Sequence, residues 1–416
     1  PARAPATGPR SLRVLATTAV RKAPELRAAK LGVIAKDTRV AARGDAPAGG
    51  GCAQGWVAIE PRGWLCAAQL APSADEPTAA APVLFDDDDD DDDDAAVPGV
   101  YGVVRGAEAV AYGSRADAAA GDNPRPLTGA TSVRARAVVA IEGRRFWLTS
   151  AGELIDARSI ATFSPSRFRG VALDGAASLP LAWARAPGKP RGAIKVRAQP
   201  TATAAVIDEL PARAVVQPGE ASADGRFVAV GDGWVARTDL RIARYAEPPA
   251  GTGAQERWFD VDLDDQVLVA YEGERPVYAT LVSTGKADHR TPAAIARVAA
   301  KHARATMTSD QGEAYSVADV PWTMYYDRDF ALHTAYWHDG FGAPRSHGCV
   351  NLAPRDARAL YHWSSPDVPP GWTSVYGDAD TPGSLVRVRT AALPNPAFRG
   401  YARAVHARAV RTAAAE

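Results

Sequence analysis

Residue types that do nucleophilic chemistry crowd one short stretch of the chain. Cys349 sits in PRSHGCVNL (Pro344 to Leu352) and is one of three cysteines in 416 residues. His347 precedes it by two positions, and His333 and His338 lie upstream in HTAYWHDG. A thiol is a weak nucleophile and its thiolate a strong one. A nearby imidazole that takes the proton makes attack feasible near neutral pH, and a partner on its other nitrogen fixes the tautomer. The attacked carbonyl needs donors where its oxygen turns negative.

SHGCVN offers such parts. Gly348 lets the backbone turn sharply, so the amides of Gly348 and Cys349 are candidate oxyanion donors. Ser346 and Asn351 are suited to hold the loop by hydrogen bonds. A histidine two residues before the cysteine points awkwardly for direct proton transfer. His333, with Thr334 beside it, is the better base if its strand crosses nearby. A zinc site is the rival reading, since His333, His338, His347 and Cys349 include enough ligands. It leaves Ser346, Gly348 and Asn351 without a purpose, so no metal and no cofactor is expected.

Elements must position these groups. The segment from Arg257, RWFDVDLDDQVLVAYEGERPVYATLVSTG, reads as three strands separated by turns at Asp264-Asp265 and Glu272-Gly273. Such a meander makes one face of a sandwich or open barrel. Arg355 to Tyr361 fits a short helix just after the cysteine, and the Ala/Arg-rich tail beyond Pro394 a frayed one.

Upstream the chain repeats itself. Val20-Arg21 with Pro24 matches Val196-Arg197 with Pro200, and each copy closes on a Gly-Trp strand, from Gly63 and from Gly233. A middle segment ends similarly, in FWLTSAGELIDARSIA from Phe146. Short β-rich runs divided by Gly, Pro and Asp predict small barrels. Asp86 to Asp94 is an unbroken aspartate run that repels itself and reads as a linker. Ala186 to Gly192 and Glu247 to Gly253 read as two more linkers.

Composition bounds the function. Lys plus Arg and Asp plus Glu both number 48, so nucleic-acid binding has no electrostatic support. No apolar run reaches the roughly 18 residues of a membrane span. Cys52 and Cys66 lie close together and Cys349 stands alone. That suits an exported protein with one disulfide and one free sulfur, three reduced cysteines being the alternative. The chain begins at Pro1, so any export signal would lie outside it, and a periplasmic or envelope location is expected.

From His333 to Asn351 the chain resembles the L,D-transpeptidases (YkuD-type catalytic domain), whose signature is a histidine, a loop of a dozen or more residues, then [S/T]HGCxN. Twelve residues separate His333 from Ser346 here. The first and third repeats resemble bacterial SH3-like domains through VRxxP and the closing Gly-Trp strand; the middle copy lacks the opening. The resemblances imply a mainly β chain: SH3-like modules at 10–75, 98–176 and 190–247, a linker at 76–97, a YkuD-type β-sandwich with short helices at 254–390, and a tail from 391. They imply Cys349 as nucleophile, His333 as general base oriented by the Thr334 carbonyl, His347 supporting the thiolate, and Asn351 bracing the loop. His338, Tyr326, Trp337 and Arg345 are candidates to line a groove for an anionic peptide, and the other histidines read as surface or loop residues. The implied reaction is acyl transfer on peptidoglycan stem peptides, forming 3→3 cross-links. An L,D-carboxypeptidase or a non-catalytic wall-binding scaffold is the alternative. The resemblance departs at TPAAIAR from Thr291, where the family often has TPxGxF.

Overall fold

The computed structural model describes residues 10–79, 96–106, 108–127, 130–186, 188, 192–309 and 315–413. The aspartate run lies outside the described residues. Strands predominate, with a few short helices.

The expected meander forms. Arg257–Asp262, Val267–Glu272 and Arg275–Leu281 pair antiparallel in sequence. Leu385–Arg389 adds parallel to the first of them, and Ala294–Arg297 pairs antiparallel with Leu385–Arg389. Successive side chains point to opposite faces of a strand, and here both faces are buried. Phe259, Val261, Leu268 and Ala270 pack towards helix Pro354–Trp363 and the second sheet. Trp258, Val267, Val269 and Tyr271 face the other way, onto Leu181, Trp183 and Ala243 of the third module. Burying one such apolar side chain contributes about 1.5–3 kcal/mol.

The second sheet carries the long hairpin Ala300–Ser309 and Tyr315–Asp327. Phe330–Thr334 pairs antiparallel with that hairpin, and Val350–Leu352 pairs parallel with Phe330–Thr334. The helix after the cysteine is pinned by buried Asp356, which accepts from the Tyr278 hydroxyl at 2.7 Å, the Thr280 hydroxyl and the Gly170 N–H at 2.9 Å.

The sequence repeat corresponds to a repeated strand pairing. In the first copy Ser11–Val14 pairs with Arg39–Val40 and Leu70–Ser73, and Thr18–Arg21 with Lys30–Ile34 and Trp64–Cys66. In the third copy Leu181–Ala184 pairs with Val215–Val216 and Leu240–Ala243, and Ile194–Arg197 with Val206–Leu210 and Gly233–Ala236. The two signature ends touch. A Cβ on Gly63 would lie 2.3 Å from Val20 Cγ1, and one on Gly233 would lie 2.5 Å from Val196 Cγ1. The strand therefore needs glycine where it crosses the valine of VRxxP. Cys52 and Cys66 are joined by a disulfide with Cα atoms 5.7 Å apart.

Two boundaries move. The third module starts at Leu181, before Ala186–Gly192, because Ala182 and Ala184 belong to its core beside Ile194 and Val196. At the end of the middle module, Val171–Ala172 adds to the meander's sheet by pairing with Tyr278 and Ala279. Among the described residues no helix is long and apolar enough to cross a membrane.

Candidate active site

Parallel pairing of Phe330–Thr334 with Val350–Leu352 sets His333 opposite Asn351. Alternation then puts Ala331 and His333 on the same face as Cys349 and Asn351. His333 is buried, and its Nδ1 lies 2.8 Å from the Thr334 carbonyl. A carbonyl only accepts, so Nδ1 carries the proton and Nε2 presents its lone pair. Burial disfavours the charged ring and lowers its pKa to about 4, against that hydrogen bond. The same desolvation raises the Cys349 thiol to about 11, opposed by a backbone contact from Ala331. The Cys349 sulfur lies 3.6 Å from the Asp329 carbonyl, an acceptor for S–H. Both shifts favour the neutral thiol and the neutral imidazole.

The cysteine loop is held almost entirely by hydrogen bonds. The Arg345 and Ser346 amides donate to the Thr284 carbonyl at 2.8 and 3.0 Å. The Ser346 hydroxyl donates to the Cys349 carbonyl at 2.5 Å and accepts from the Gly348 amide at 3.0 Å. The Thr291 hydroxyl donates to the Gly348 carbonyl at 2.8 Å, so the departing TPAAIAR segment still ties to this loop. Gly348 has φ +124° and a Cβ there would lie 2.6 Å from Phe330, so only glycine suits. The Gly348 amide, expected as an oxyanion donor, here donates to the Ser346 hydroxyl.

Asn351 and His338 brace one another from behind. The Gly340 amide donates to His338 Nδ1 at 3.2 Å, and Asn351 Nδ2 lies 3.0 Å from His338 Nε2. A neutral ring has one acceptor nitrogen, so Nε2 bears the proton and the Asn351 amide faces it through oxygen after a half-turn. That half-turn also gives a partner to the otherwise unpaired Asn351 Oδ1.

His333 and Cys349 line one cavity of about 750 Å³, together with Trp337, Arg345, His347 and Asn351. Its far wall comes from the middle module, through Val103, Arg105, Ser132 and Phe163. Arg105, Arg328 and Arg345 outnumber the single carboxylate, Asp329, among the described lining residues. Tyr326 departs from expectation: it is buried in the core among Met324, Leu332 and Val350, because its strand turns that side inward. His338 supports the site without lining the cavity. His347 is exposed, with Tyr315 and His289 rings 5.1 and 4.7 Å away. His289 is thus part of the site's rim, and half-buried His302 lies on a strand between Tyr325 and Tyr376. Among the described residues no group of three or more His, Cys, Asp or Glu is arranged to hold a metal ion. Sequence reading missed Arg105, Thr291 and Tyr315; none carries a local pattern, although the Thr-Pro at 291 is the part of the family's TPxGxF turn that this chain keeps.

Residues 256–383 match the L,D-transpeptidase catalytic domain family, YkuD. No curated protein matches the chain. Among solved structures, an L,D-transpeptidase of Stackebrandtia nassauensis is 25% identical over 33% of this chain and 57% of its own, with a TM-score of 0.24. The catalytic domain of an Enterococcus faecium L,D-transpeptidase is 24% identical over 32% of this chain and 98% of its own, TM-score 0.26. The transpeptidase LdtMt1 in complex with imipenem is 16% identical over 50% of this chain and 82% of its own, TM-score 0.27.

Proposed function

We propose, from the premise that residues 256–383 are an L,D-transpeptidase catalytic domain, that the protein is a cysteine acyltransferase of the cell wall. The Cys349 thiol attacks the carbonyl joining the third stem residue, diaminopimelate, to the terminal D-Ala. His333 Nε2 takes the thiol proton as the C–S bond forms and returns it to the D-Ala nitrogen as the C–N bond breaks. D-Ala leaves and a thioester remains. A side-chain amine of a second stem attacks the thioester, His333 accepts its proton, and Cys349 leaves as sulfur and is reprotonated. The product is a 3→3 cross-link, and the thioester retains the energy of the peptide bond. With a high thiol pKa and a low imidazole pKa, the proton moves during attack and not before it. Of the two expected oxyanion donors, the Cys349 amide is the one this reading retains.

The observation that carries the reading is one cavity lined by both Cys349 and His333, with the histidine's Nδ1 engaged by Thr334 so that Nε2 is the free nitrogen. The cationic rim suits a peptide bearing free carboxylates. The disulfide supports an oxidising, envelope location, with the small β modules as SH3-like spacers or wall-binding units.

Incubation with tetrapeptide muropeptides, followed by mass analysis, tests it. Tripeptide-linked dimers plus free D-Ala are expected, and Cys349→Ala gives neither. Shortened stems without dimers would make the enzyme an L,D-carboxypeptidase. No product and no Cys349 adduct with imipenem would leave the scaffold reading.

A further inference from the structure

The segment Asp339 to Gly342 links His338 to the cysteine loop, and all four of its carbonyls are gripped from outside the catalytic domain or its sheet. Arg213 donates to the Asp339 carbonyl at 2.6 Å and to its carboxylate at 2.7 Å. Arg185 donates to the Phe341 carbonyl at 2.5 Å and to the Gly340 carbonyl at 3.2 Å. Arg241 donates to the Gly342 carbonyl at 2.7 Å. All three arginines belong to the third module. Arg185 is 2% exposed, and a Cβ on Gly342 would lie 2.4 Å from its Cδ, so the segment approaches the guanidinium as closely as glycine allows. On its other side the Gly342 amide donates to the Val282 carbonyl at 2.8 Å. The segment is held between Val282, just past the strand Arg275–Leu281, and a foreign module.

Both ends of this segment lead directly into the site. His338 accepts from the Gly340 amide and braces Asn351, two residues past the nucleophile. Arg345 and Ser346, three to four residues past Gly342, begin the cysteine loop. Three cations crowded together repel one another, and burial and that crowding lower Arg185 to about 10. A cluster of like charges in a buried junction stabilises a fold poorly unless the carbonyls and Asp339 compensate it.

We propose that Arg185, Arg213 and Arg241 form a clamp by which the third module positions the Cys349 loop for acyl transfer. The inference rests on the transpeptidase reading given above. The arginines touch no reacting atom and act as positioning residues, through the 339–342 backbone and His338. Misplacing a catalytic group by about 1 Å costs up to roughly 100-fold in rate.

The test uses the full chain. The double variant Arg213→Met/Arg241→Met should lower kcat for muropeptide transfer by roughly 10- to 100-fold while KM stays within about twofold. Arg213→Lys/Arg241→Lys, which keeps the charge, should restore part of it. Arg237→Met is the control. Arg237 ties the same module to Asp265 at 2.7 Å and not to the 339–342 carbonyls, and Arg244 still pairs with Asp265 in its absence. It should leave kcat unchanged. Hydrogen exchange of the peptide spanning 338–350 gives an activity-independent reading, expected to quicken about tenfold in the double variant. If the double variant unfolds, Arg185→Lys is read in the same two assays. Wild-type kcat with wild-type exchange overturns the clamp, as does an equal loss in Arg237→Met. A wild-type protein without turnover sinks the transpeptidase reading alone, because the exchange measurement still decides the clamp.

Discussion

The first and third modules share one sequence pattern and one strand-pairing scheme, yet they meet the catalytic domain in unlike ways. The first module extends a sheet: Lys30–Ile34 pairs antiparallel with Trp372–Tyr376, so its junction combines backbone hydrogen bonds, the apolar contacts of Ile34, Trp372 and Val375, and exposed ion pairs from Lys22 to Asp378 and Asp380. The third module covers the outer face of the meander with Trp183 and reaches past it with three arginines into the segment before the cysteine loop. The valine of VRxxP and the Gly-Trp strand make the same pairing in both copies. The residues that differ between the copies set how each module meets its neighbour. Arg185, Arg213 and Arg241 fall outside the shared pattern.

The largest expected effect sets the scale for that contrast. His333→Ala removes the proposed base and should lower kcat by about 10²–10⁴-fold, with thermal unfolding nearly unchanged. Turnover at the wild-type rate would transfer the base role to another group and leave the site unexplained.

Next in size is the disulfide. Cys52→Ser/Cys66→Ser opens a loop with a sequence separation of 14 residues. The lost constraint on the unfolded chain corresponds to about 3 kcal/mol. The first module should melt earlier and become sensitive to protease while kcat stays at the wild-type value. A fall in kcat that tracks the melting would mean that the first module also holds the site.

Two glycine substitutions then sharpen the comparison, one at each junction. At Gly342 an added Cβ meets Arg185 and must also adopt φ +85°. Gly342→Ala should push the clamp off the loop and lower kcat by roughly tenfold. At Gly32 an added Cβ would lie 2.2 Å from the Ser374 carbonyl and 2.4 Å from the Trp372 ring. Gly32→Ala should cost about 1–3 kcal/mol at the first junction, read as earlier melting, with kcat unchanged. Equal kinetic effects of the two would erase the distinction between the modules.

Much of the site was legible because it is local. SHGCVN states its own turn, its own hydroxyl brace and its nucleophile within six residues, and the meander declares itself by alternation and turn residues. The disulfide pair lies in one segment. What was not legible is long-range. Arg185, Arg213 and Arg241 contact residues 101 to 156 positions away, and a surface arginine looks the same in sequence whether it faces water or a loop carbonyl. Leu181–Ala184 was missed as part of the third module because the repeat's recognisable opening is its second strand. The side of the strand that Tyr326 faces was hidden by register shifts in its pairing with both neighbours. That the Gly348 amide donates to the Ser346 hydroxyl was likewise not readable from the spacing alone.

The smallest expected effect is on rate between pH 6.5 and 8.5, where kcat should change by less than about twofold. His333 titrates near 4 and Cys349 near 11, so neither changes state in that window. A pre-formed ion pair would instead give an inflection near neutrality, and finding one would overturn the neutral resting pair. On the acid side the comparison between regions returns. All seven histidines lie beyond residue 288, so the modules have none. His333, His338 and His362 are each lowered to about 4, first by burial. An unfolded histidine titrates near 6.5, so between about pH 6.5 and 4 the unfolded chain binds more protons than the folded one. The stability these rings contribute is therefore full above 6.5 and is lost as pH falls towards 4. Melting followed by hydrogen exchange should show the catalytic half losing protection over that range before the first module does. The opposite order would mean that the first module's strand pairing, and not the buried imidazoles, limits stability in acid.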